Sequence, residues 1–214
     1  MSEADFIGAN TRIGTPPLVP EIRLYLASEV TPLWQATENT LAINGLPPPY
    51  WAFAWPGGQA LARHILDHPE RVVDKCVFDL GAGSGLAAIA AARAGARRVV
   101  AAEIDRFAAA AIALNAAVNE VDIFVESRDI LGTFDVAADL FLVGDMCYER
   151  PLAARMMAFL DAASARGADI LLADPGRAYL PRDRLDPVES YLIPTSRDLE
   201  DRNSRDTTVY RLRA

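Results

Sequence analysis

The sequence predicts an α/β fold: a doubly wound, Rossmann-like and mostly parallel sheet of seven strands with helices on both faces. Short apolar runs alternate with helical patterns of roughly 10–15 residues over most of the chain after residue 56. A glycine-rich turn follows the first of these strands and leads directly into a helix. The last two strand candidates leave almost no room for a helix between them, so we expect the last strand to pair antiparallel in a hairpin at one side.

Seven strands and four helices follow from the spacing of apolar residues. We expect strands over 77–80, 98–102, 121–125, 138–143, 170–173, 190–193 and 207–212. We expect helices over 57–67, 84–95, 106–119 and 151–165, the last with Pro151 in its first turn.

The first 49 residues predict an N-terminal extension to a domain that spans 50–214. Residues 1–20 contain glycines and prolines and predict an irregular arm. Residues 21–44 show a weak, mixed pattern that fits either a helix or a strand. A run of three prolines at 47–49 ends any regular element before the domain begins.

Composition and charge exclude several classes of protein. The 214 residues are 51% hydrophobic, and 21 basic against 29 acidic side chains give a net charge of −8. This balance suits a globular domain and disfavours a nucleic-acid-binding surface, which needs clustered Lys and Arg. The first residues form no apolar run, and no apolar stretch is long enough to cross a bilayer. We therefore expect a cytoplasmic protein that binds neither nucleic acid nor a membrane.

The best-defined motif is the Asp-Leu-Gly-Ala-Gly-Ser-Gly segment at 79–85. Its glycines let the backbone approach a ligand closely, and the following helix begins with unpaired N–H groups. A dinucleotide motif would need glycine at position 86, where this chain has Leu86. Asp79, two residues before Gly81, would repel a pyrophosphate and attract a cationic ligand.

Two further acids follow the next two strands. Glu103 closes the second strand and suits bidentate hydrogen bonding with a ribose diol. Asp129 follows the third strand, where its carboxylate can accept from an adenine amino group. Together with Asp79, these side chains indicate a nucleoside pocket for S-adenosylmethionine rather than for a cofactor rich in phosphate.

These residues resemble the cofactor motifs of class I, seven-stranded methyltransferases, and the resemblance covers about residues 50–214. Asp145 and Tyr148 resemble the Asp/Glu-x-x-Tyr/Phe motif of one family in that class, which contains many protein-lysine methyltransferases. The aromatic segment at 51–58 is similar to that family as well. The Asp-Pro-Gly-Arg segment at 174–177 is similar to the branch that acts on lysines of the electron-transfer flavoprotein beta subunit.

The resemblance implies a protein-lysine N-methyltransferase that uses S-adenosylmethionine and has the electron-transfer flavoprotein beta subunit as its protein partner. It implies catalytic roles for Asp145, which would capture and orient the lysine head group, and for Tyr148, which would help to hold it. It implies cofactor binding by Trp55, Gly58, Asp79, Gly81, Gly83, Glu103, Asp129 and Gly144.

Several alternatives stay open. A methyltransferase for a small amine, such as a pyridine-type base, would share all the cofactor residues. Leu86 and Asp79 disfavour a nicotinamide-dependent oxidoreductase, and a noncatalytic nucleoside-binding domain would keep the same pocket. Taken singly, Asp145 also fits a helix N-cap, Tyr148 an ordinary half-buried tyrosine, Trp55 a packing partner of Trp51, and Arg177 a surface side chain.

A pair of histidines needs separate treatment. His64 and His68 stand four residues apart on a predicted helix, which is a spacing that metal ligands use. We find no cysteine or acidic third ligand at a matching motif. We therefore expect a solvated helix face and no metal site.

Overall fold

The computed structural model describes residues 2–28, 48–132, 136–195, 200 and 202–213. The helices of these ranges are α1 (Glu3–Asn10), α2 (Pro56–Asp67), α3 (Leu86–Arg93), α4 (Arg106–Val118) and α5 (Arg150–Ala165). The strands are β1 (Arg12–Gly14), β2 (Leu24–Leu26), β3 (Cys76–Leu80), β4 (Arg98–Ala102), β5 (Phe124–Glu126), β6 (Leu140–Gly144), β7 (Asp169–Asp174), β8 (Leu185–Pro194) and β9 (Ser204–Leu212). Over the same ranges, no helix is both long and apolar enough to cross a membrane.

Strands β3 to β9 form a seven-stranded sheet in the order β5-β4-β3-β6-β7-β9-β8. All pairs from β5 to β7 are parallel, whereas β9 pairs antiparallel with both β7 and β8. The predicted fold class is thereby confirmed, with β9 inside the sheet and β8 at its edge. The chain proceeds outward in opposite directions from β3 and from β6, so the carboxyl ends of these two neighbours flank a crevice where ligands bind in such sheets.

Two apolar layers cover the sheet, one on each face. Val77 of β3 packs in one cluster with Leu61 of α2 and Ile89 of α3. The next residue, Phe78, packs in the other cluster with Phe159 of α5. This alternation is the two-residue period of a strand buried on both faces. It also directs Asp79 towards α3.

The N-terminal residues are more regular than the irregular arm that the sequence predicts. Helix α1 forms because Ser2 and Asp5 make a capping box: the Asp5 amide donates to Ser2 Oγ over 3.2 Å, and the Ser2 amide donates to Asp5 Oδ2 over 3.1 Å. Ile7 is buried in a cluster with Trp51 and Phe107. Capping and apolar burial therefore outweigh the local signals of glycine and proline.

The rest of the extension is described only in part. Strand β2 lies in the region predicted as a helix or a strand, and positions 29–44 of that prediction lie outside the described residues. The Tyr25 amide donates to Asn115 Oδ1 over 2.8 Å, and the Ala27 amide donates to the Ala52 carbonyl over 2.9 Å. The boundary between 1–49 and 50–214 stays a prediction, and hydrogen bonds cross it.

Three strands begin at least three residues away from their predicted starts. Strand β5 begins at Phe124 instead of residue 121, β8 at Leu185 instead of residue 190, and β9 at Ser204 instead of residue 207. The first half of β8 contains Pro187, with a register shift between Pro187 and Glu189. A proline discourages a strand prediction, but an edge strand tolerates it because one side of the strand needs no partner.

The predicted solvated face of α2 is wrong for His64. This side chain is only 1% exposed, and its Nδ1 lies 2.8 Å from Glu189 Oε2 on β8. The sequence pattern of α2 alone does not reveal this burial, because β8 is about 125 residues further along the chain. His68, one turn later, is partly exposed, as expected.

Candidate active site

A cavity of about 470 Å³ opens at the carboxyl ends of β3, β4 and β6. The turn after β3, the residues after β4 and β6, and the aromatic segment before α2 form its walls. Asp79 and Gly58 are not among the residues that line it. The other predicted site residues do line it, namely Trp55, Gly81, Gly83, Glu103, Asp129, Gly144, Asp145 and Tyr148.

The glycine turn leaves room for a ligand against the backbone. Gly81 and Gly83 have φ values of 65° and 54°, which residues with a Cβ rarely adopt. A Cβ on Gly81 would lie 2.5 Å from Met146 Sδ, whereas a Cβ on Gly83 would meet no atom within 4 Å. The open space at Gly83 is where a nucleoside can approach the main chain.

Asp79 lies behind this turn. It is 3% exposed, and one carboxylate oxygen accepts from the Ala88 amide over 3.0 Å. Ala88 is the third residue of α3, and Gly85, which precedes the helix, has no side chain to cap it. Burial raises the pKa of Asp79 to about 7. Its position indicates that Asp79 holds the turn against the start of α3.

Glu103 connects the end of β4 to the glycine turn. Its Oε2 accepts from the Gly83 amide over 3.0 Å, and its Oε1 accepts from the Asp105 amide over 3.1 Å. Burial raises the pKa of Glu103. Each carboxylate oxygen keeps a further lone pair for a ligand.

Asp129 stands on the exposed wall of the cavity. Its Oδ2 pairs with Arg155 at 2.7 Å, and its Oδ1 accepts from the Leu131 amide over 3.1 Å. The hydrogen bond from Arg155 lowers the pKa of Asp129. Half of this carboxylate's hydrogen-bonding capacity is thus committed to orienting the loop after β5.

Asp145 is the most tightly held carboxylate of the cavity. It follows β6 with a φ of 57°, and its amide donates to the Ala173 carbonyl over 3.0 Å. Its Oδ2 accepts from the Gly57 and Gly58 amides, over 2.5 Å and 3.3 Å. A residue with a Cβ in this backbone region is strained, and such strain is concentrated at functional sites.

The second oxygen of Asp145 is bound by Arg177. Arg177 donates to Asp145 Oδ1 from Nε over 3.2 Å and from Nη2 over 2.8 Å. The same Nη2 also donates to Glu200 Oε1 over 2.7 Å, and Arg205 donates to Glu200 Oε2 over 3.0 Å. Two carboxylates and two guanidiniums therefore form a chain with no net charge.

The charge of Asp145 is set by two opposing effects. Burial raises the pKa of Asp145 to about 6, although the positive charge of Arg177 opposes that rise. The Arg177 guanidinium and the amides at the start of α2 hold the ionised form in place. At neutral pH the cavity therefore carries a largely buried carboxylate that is mostly ionised.

Aromatic rings surround the mouth of the cavity near Asp145. The Tyr50 ring lies 6.0 Å from Trp55 and 6.1 Å from Tyr148, measured between ring centroids. The Arg177 guanidinium lies 5.7 Å from the centroid of the Trp55 ring. Tyr50 and Tyr148 are both partly exposed, so these rings form an entrance and not a closed core.

Glycines allow the start of α2 to pack on the end of β6. A Cβ on Gly144 would lie 3.1 Å from the Gly58 nitrogen. A Cβ on Gly57 would lie 2.5 Å from both Asp145 Oδ2 and the Ala173 carbonyl. Gly58 therefore contributes through its backbone contact with Asp145.

The sequence did not identify Arg177 and Glu200 as site residues. From the sequence, Arg177 could be an ordinary surface residue. The feature that could have identified it is its position directly after the Asp-Pro-Gly turn that ends β7. Asp174 shapes that turn by accepting from the Gly176 and Arg177 amides, over 2.7 Å and 2.6 Å. Glu200 gives no local signal, because its importance comes from its two arginine partners.

The cavity fits S-adenosylmethionine. The open backbone at Gly83 and the half-buried carboxylate of Glu103 beside it suit a nucleoside that carries a positive charge and no phosphate. Leu86 stands where a dinucleotide motif would require glycine. The cavity volume lies in the range of small-molecule sites.

Comparisons with known proteins agree with this geometry. The family model for ribosomal protein L11 methyltransferase (PrmA) matches residues 60–140. The chain is 37% identical over 214 residues to the electron transfer flavoprotein beta subunit lysine methyltransferase of Danio rerio, covering 97% of this chain and 82% of that protein. It is 35% identical to the Xenopus laevis protein of the same name, covering 96% of this chain and 85% of that protein.

Solved structures share the fold at low identity. The ribosomal protein L11 methylase of Lactobacillus delbrueckii subsp. bulgaricus matches with a TM-score of 0.52 and 20% identity, over 72% of this chain and 77% of that one. Magnesium protoporphyrin IX methyltransferase from Synechocystis PCC 6803, solved with bound SAH, matches with a TM-score of 0.53 and 18% identity, over 73% of this chain and 83% of that one.

These findings confirm the resemblance noted from the sequence. The protein is a methyltransferase that uses S-adenosylmethionine as its cofactor. On the strength of the long matches to the fish and frog proteins, the chain belongs to the family of electron transfer flavoprotein beta subunit lysine methyltransferases.

Proposed function

We propose that this enzyme methylates lysine side chains of the electron-transfer flavoprotein beta subunit. The names of its relatives support this substrate. The observation that carries the proposal is the position of Asp145: a largely buried carboxylate, 12% exposed, at the end of β6, held on both oxygens and reached through an entrance of aromatic rings. Such a site suits the cationic end of a long side chain entering from a protein surface.

For the cofactor, we propose that residues at the carboxyl ends of β3 and β4 hold the nucleoside. Glu103 would accept hydrogen bonds from the ribose hydroxyls, and Gly81 and Gly83 would lie against the cofactor through their backbones. Asp129 and Gly144 would line the cofactor site. Asp79 and Gly58 would support it from outside the cavity, through their hydrogen bonds to Ala88 and to Asp145. S-adenosylmethionine supplies, when bound, an electrophilic methyl group on a sulfonium.

The amine must be neutral before it can act as a nucleophile. A lysine with a pKa near 10.4 is almost fully protonated at pH 7, and removing its proton there requires roughly 4–5 kcal/mol. A lone carboxylate beside the lysine would stabilise the ammonium and increase this requirement. The acceptor site therefore needs a carboxylate whose charge is balanced.

The Asp145–Arg177 pair meets this need. Arg177 offsets part of the charge of Asp145, so this carboxylate can lie beside the amine and favour its ammonium form less than a lone carboxylate would. Arg177 itself repels an ammonium and favours the neutral amine. We propose that Asp145 positions the nitrogen lone pair, that water takes the proton, and that Asp145 then stabilises the positive charge that develops on the nitrogen.

The aromatic entrance guides the side chain. Tyr50, Trp55 and Tyr148 would contact the methylene groups of the lysine and interact with its positive charge through their ring faces. Tyr148 lies directly after the Asp145 loop, so it is placed to fix the angle at which the amine reaches the carboxylate.

The decisive experiment uses the purified enzyme, purified electron-transfer flavoprotein and isotopically labelled S-adenosylmethionine. We expect label on lysines of the beta subunit, located by peptide mapping. The alternative substrate class is tested in parallel with small amines and pyridine-type bases. Labelled small amines together with an unlabelled flavoprotein would contradict the protein-substrate proposal and favour the alternative.

The role of Asp145 is tested by the Asp145→Asn variant. We expect a loss of turnover of roughly 100-fold or more, because the stabilising charge is removed while the shape is kept. Calorimetric affinity for S-adenosylmethionine should stay close to that of the wild type. Glu103→Ala is the matched comparison and should show the reverse, with cofactor affinity as the property that is lost. Wild-type turnover by Asp145→Asn would contradict the role given to Asp145.

A further inference from the structure

A cluster of three potential metal ligands lies outside the cavity, where the end of α2 meets β8. His64 and His68 are one turn apart on α2, and Glu189 approaches them from β8. Glu189 Oε2 lies 2.8 Å from His64 Nδ1 and 3.3 Å from His68 Nε2. One ligand atom from each residue lies within 4.8 Å of the others. None of the three lines the cavity.

This donor set has the chemistry of a zinc-type site. Two imidazoles four residues apart on a helix, with one carboxylate, are ligands that Zn²⁺ uses in proteins, with water in the remaining position. Ligand atoms around a metal at about 2.0–2.2 Å are separated by little more than 3 Å, which is close to the distances from Glu189 Oε2 to the two histidine nitrogens. A modest shift of the Glu189 side chain would open the centre of the cluster.

Neighbouring groups orient two of the three ligands. The Tyr191 hydroxyl donates to Glu189 Oε2 over 2.6 Å. Glu70 Oε1 lies 3.5 Å from His68 Nδ1, the nitrogen that faces away from Glu189. A carboxylate behind a histidine ligand fixes its ring and increases its basicity.

We propose that His64, His68 and Glu189 bind one divalent transition-metal ion of the zinc type, which connects α2 to β8. The sequence favoured the opposite conclusion because Glu189 stands far from the histidines along the chain. His68 and Glu189 are both partly exposed, so an ion and its water can enter from solvent. The site lies at the far end of α2 from Asp145 and is independent of the proposed substrate.

The test is a Zn²⁺ titration of the tag-free, chelator-treated full chain by calorimetry. We expect one equivalent per chain and a rise in the thermal unfolding midpoint with added Zn²⁺. His68→Ala and Glu189→Gln should each bind at least about tenfold more weakly and lose the thermal shift. Both changed residues are partly exposed, so melting curves without metal should show folded variants.

Asp67→Asn is the matched control, because Asp67 lies on the same helix and pairs with Arg63 instead of joining the cluster. It should bind Zn²⁺ as the wild type does. Co²⁺ in place of Zn²⁺ should give the visible absorption of a four-coordinate site in the wild type and in Asp67→Asn only. Absence of stoichiometric binding, or equal binding by His68→Ala and Glu189→Gln, would overturn the proposal.

Discussion

At the scale of single residues, the ionisation of Asp145 depends on two opposing effects. Burial raises the pKa of this carboxyl group, and the Arg177 guanidinium at 2.8 Å opposes the rise. The same guanidinium disfavours a protonated lysine beside it. Both effects of Arg177 lower the pH above which Asp145 is ionised and the lysine can lose its proton.

Arg177→Met should therefore move the acid limb of the kcat/KM profile to higher pH. The pKa of Asp145, about 6 in the wild type, rises when Arg177 is removed, and the pKa of the bound lysine rises with it. We expect a shift of about 1 pH unit or more, measured from pH 5.5 to pH 9.5. Arg177→Lys should restore part of the profile, because it restores the charge without the fork of donors.

Arg205→Met is the control for that variant. Arg205 binds Glu200 but has no hydrogen bond to Asp145 among the described contacts. Its loss should lower stability and leave the acid limb in place. An unchanged limb in Arg177→Met would show that the Arg177 guanidinium does not tune the acceptor site.

The site residues could be predicted where they stand directly after a strand. Glu103 and Asp145 follow β4 and β6, and parallel strands bring their carboxyl ends together. The roles of Arg177 and Glu200 could not be predicted from the sequence, because they depend on contacts with each other and with Asp145 that form only in the fold. Asp79 was predicted to face the ligand. Because side chains alternate between the two faces of β3, the Asp79 side chain points towards Ala88 instead.

At the scale of elements, the start of α2 acts as a support for the acceptor carboxylate. Its first amides donate to Asp145, and Trp55 precedes its first turn. This contact requires the helix to lie directly on the end of β6. Glycine at position 57 is what allows the approach.

Gly57→Ala should therefore lower both stability and turnover. The added Cβ would lie 2.5 Å from Asp145 Oδ2 and from the Ala173 carbonyl, so either α2 or the Asp145 loop must move. We expect a loss of about 1–3 kcal/mol in the free energy of unfolding, with a larger effect on kcat than on cofactor affinity. Thermal melts and steady-state kinetics measure the two effects.

Gly58→Ala is the matched control for stability. The added methyl group would meet no atom within 4 Å, and alanine favours the helix over glycine. Its unfolding midpoint should equal or exceed that of the wild type. If both variants melt alike, close packing of α2 on Asp145 does not constrain the site.

Element types were predictable from the sequence more reliably than element ends. Long periodic segments such as α4 and α5 were placed to within about two residues. Helix α1 was missed because nearby glycines and prolines favoured an irregular arm, although Ser2 and Asp5 give a local capping signal and Ile7 packs on distant residues. The early start of β8 was missed because Pro187 is compatible with a strand only at an edge.

At the scale of the whole molecule, buried and half-buried carboxylates make folding stability depend on pH. Burial raises the pKa of Asp79, Glu103, Asp145 and Asp174. For Asp79 the folded-state pKa of about 7 lies above the unfolded value near 3.9. Between these two values the folded state binds a proton that the unfolded state does not, so this group destabilises the fold as pH rises.

Asp79→Asn should remove this dependence. The amide oxygen can still accept from Ala88, and no charge is buried at high pH. Relative to the wild type, the variant should be more stable at pH 8 than at pH 5. We expect the difference in unfolding free energy to change by on the order of 3 kcal/mol between these pH values, measured by urea unfolding.

Asp129→Asn provides a contrast of opposite sign. A hydrogen bond from Arg155 lowers the pKa of Asp129, so its charge favours the folded state at neutral pH. Relative to the wild type, this variant should lose stability as pH rises through the acid range around the unfolded pKa near 3.9, by a small amount because the pair is exposed. A pH-independent difference between Asp79→Asn and the wild type would show that Asp79 titrates as an ordinary carboxyl group.

The position of β9 between β7 and β8 has a consequence during synthesis on the ribosome. Within the described sheet, β8 has β9 as its pairing strand, and β9 is translated after it. In a nascent polypeptide that stops before Ser204, one edge of β7 therefore has unpaired backbone groups, and β8 has no strand to pair with. Until translation passes this point, the unfinished chain is open to pairing with other nascent chains, and a chaperone bound there would protect it.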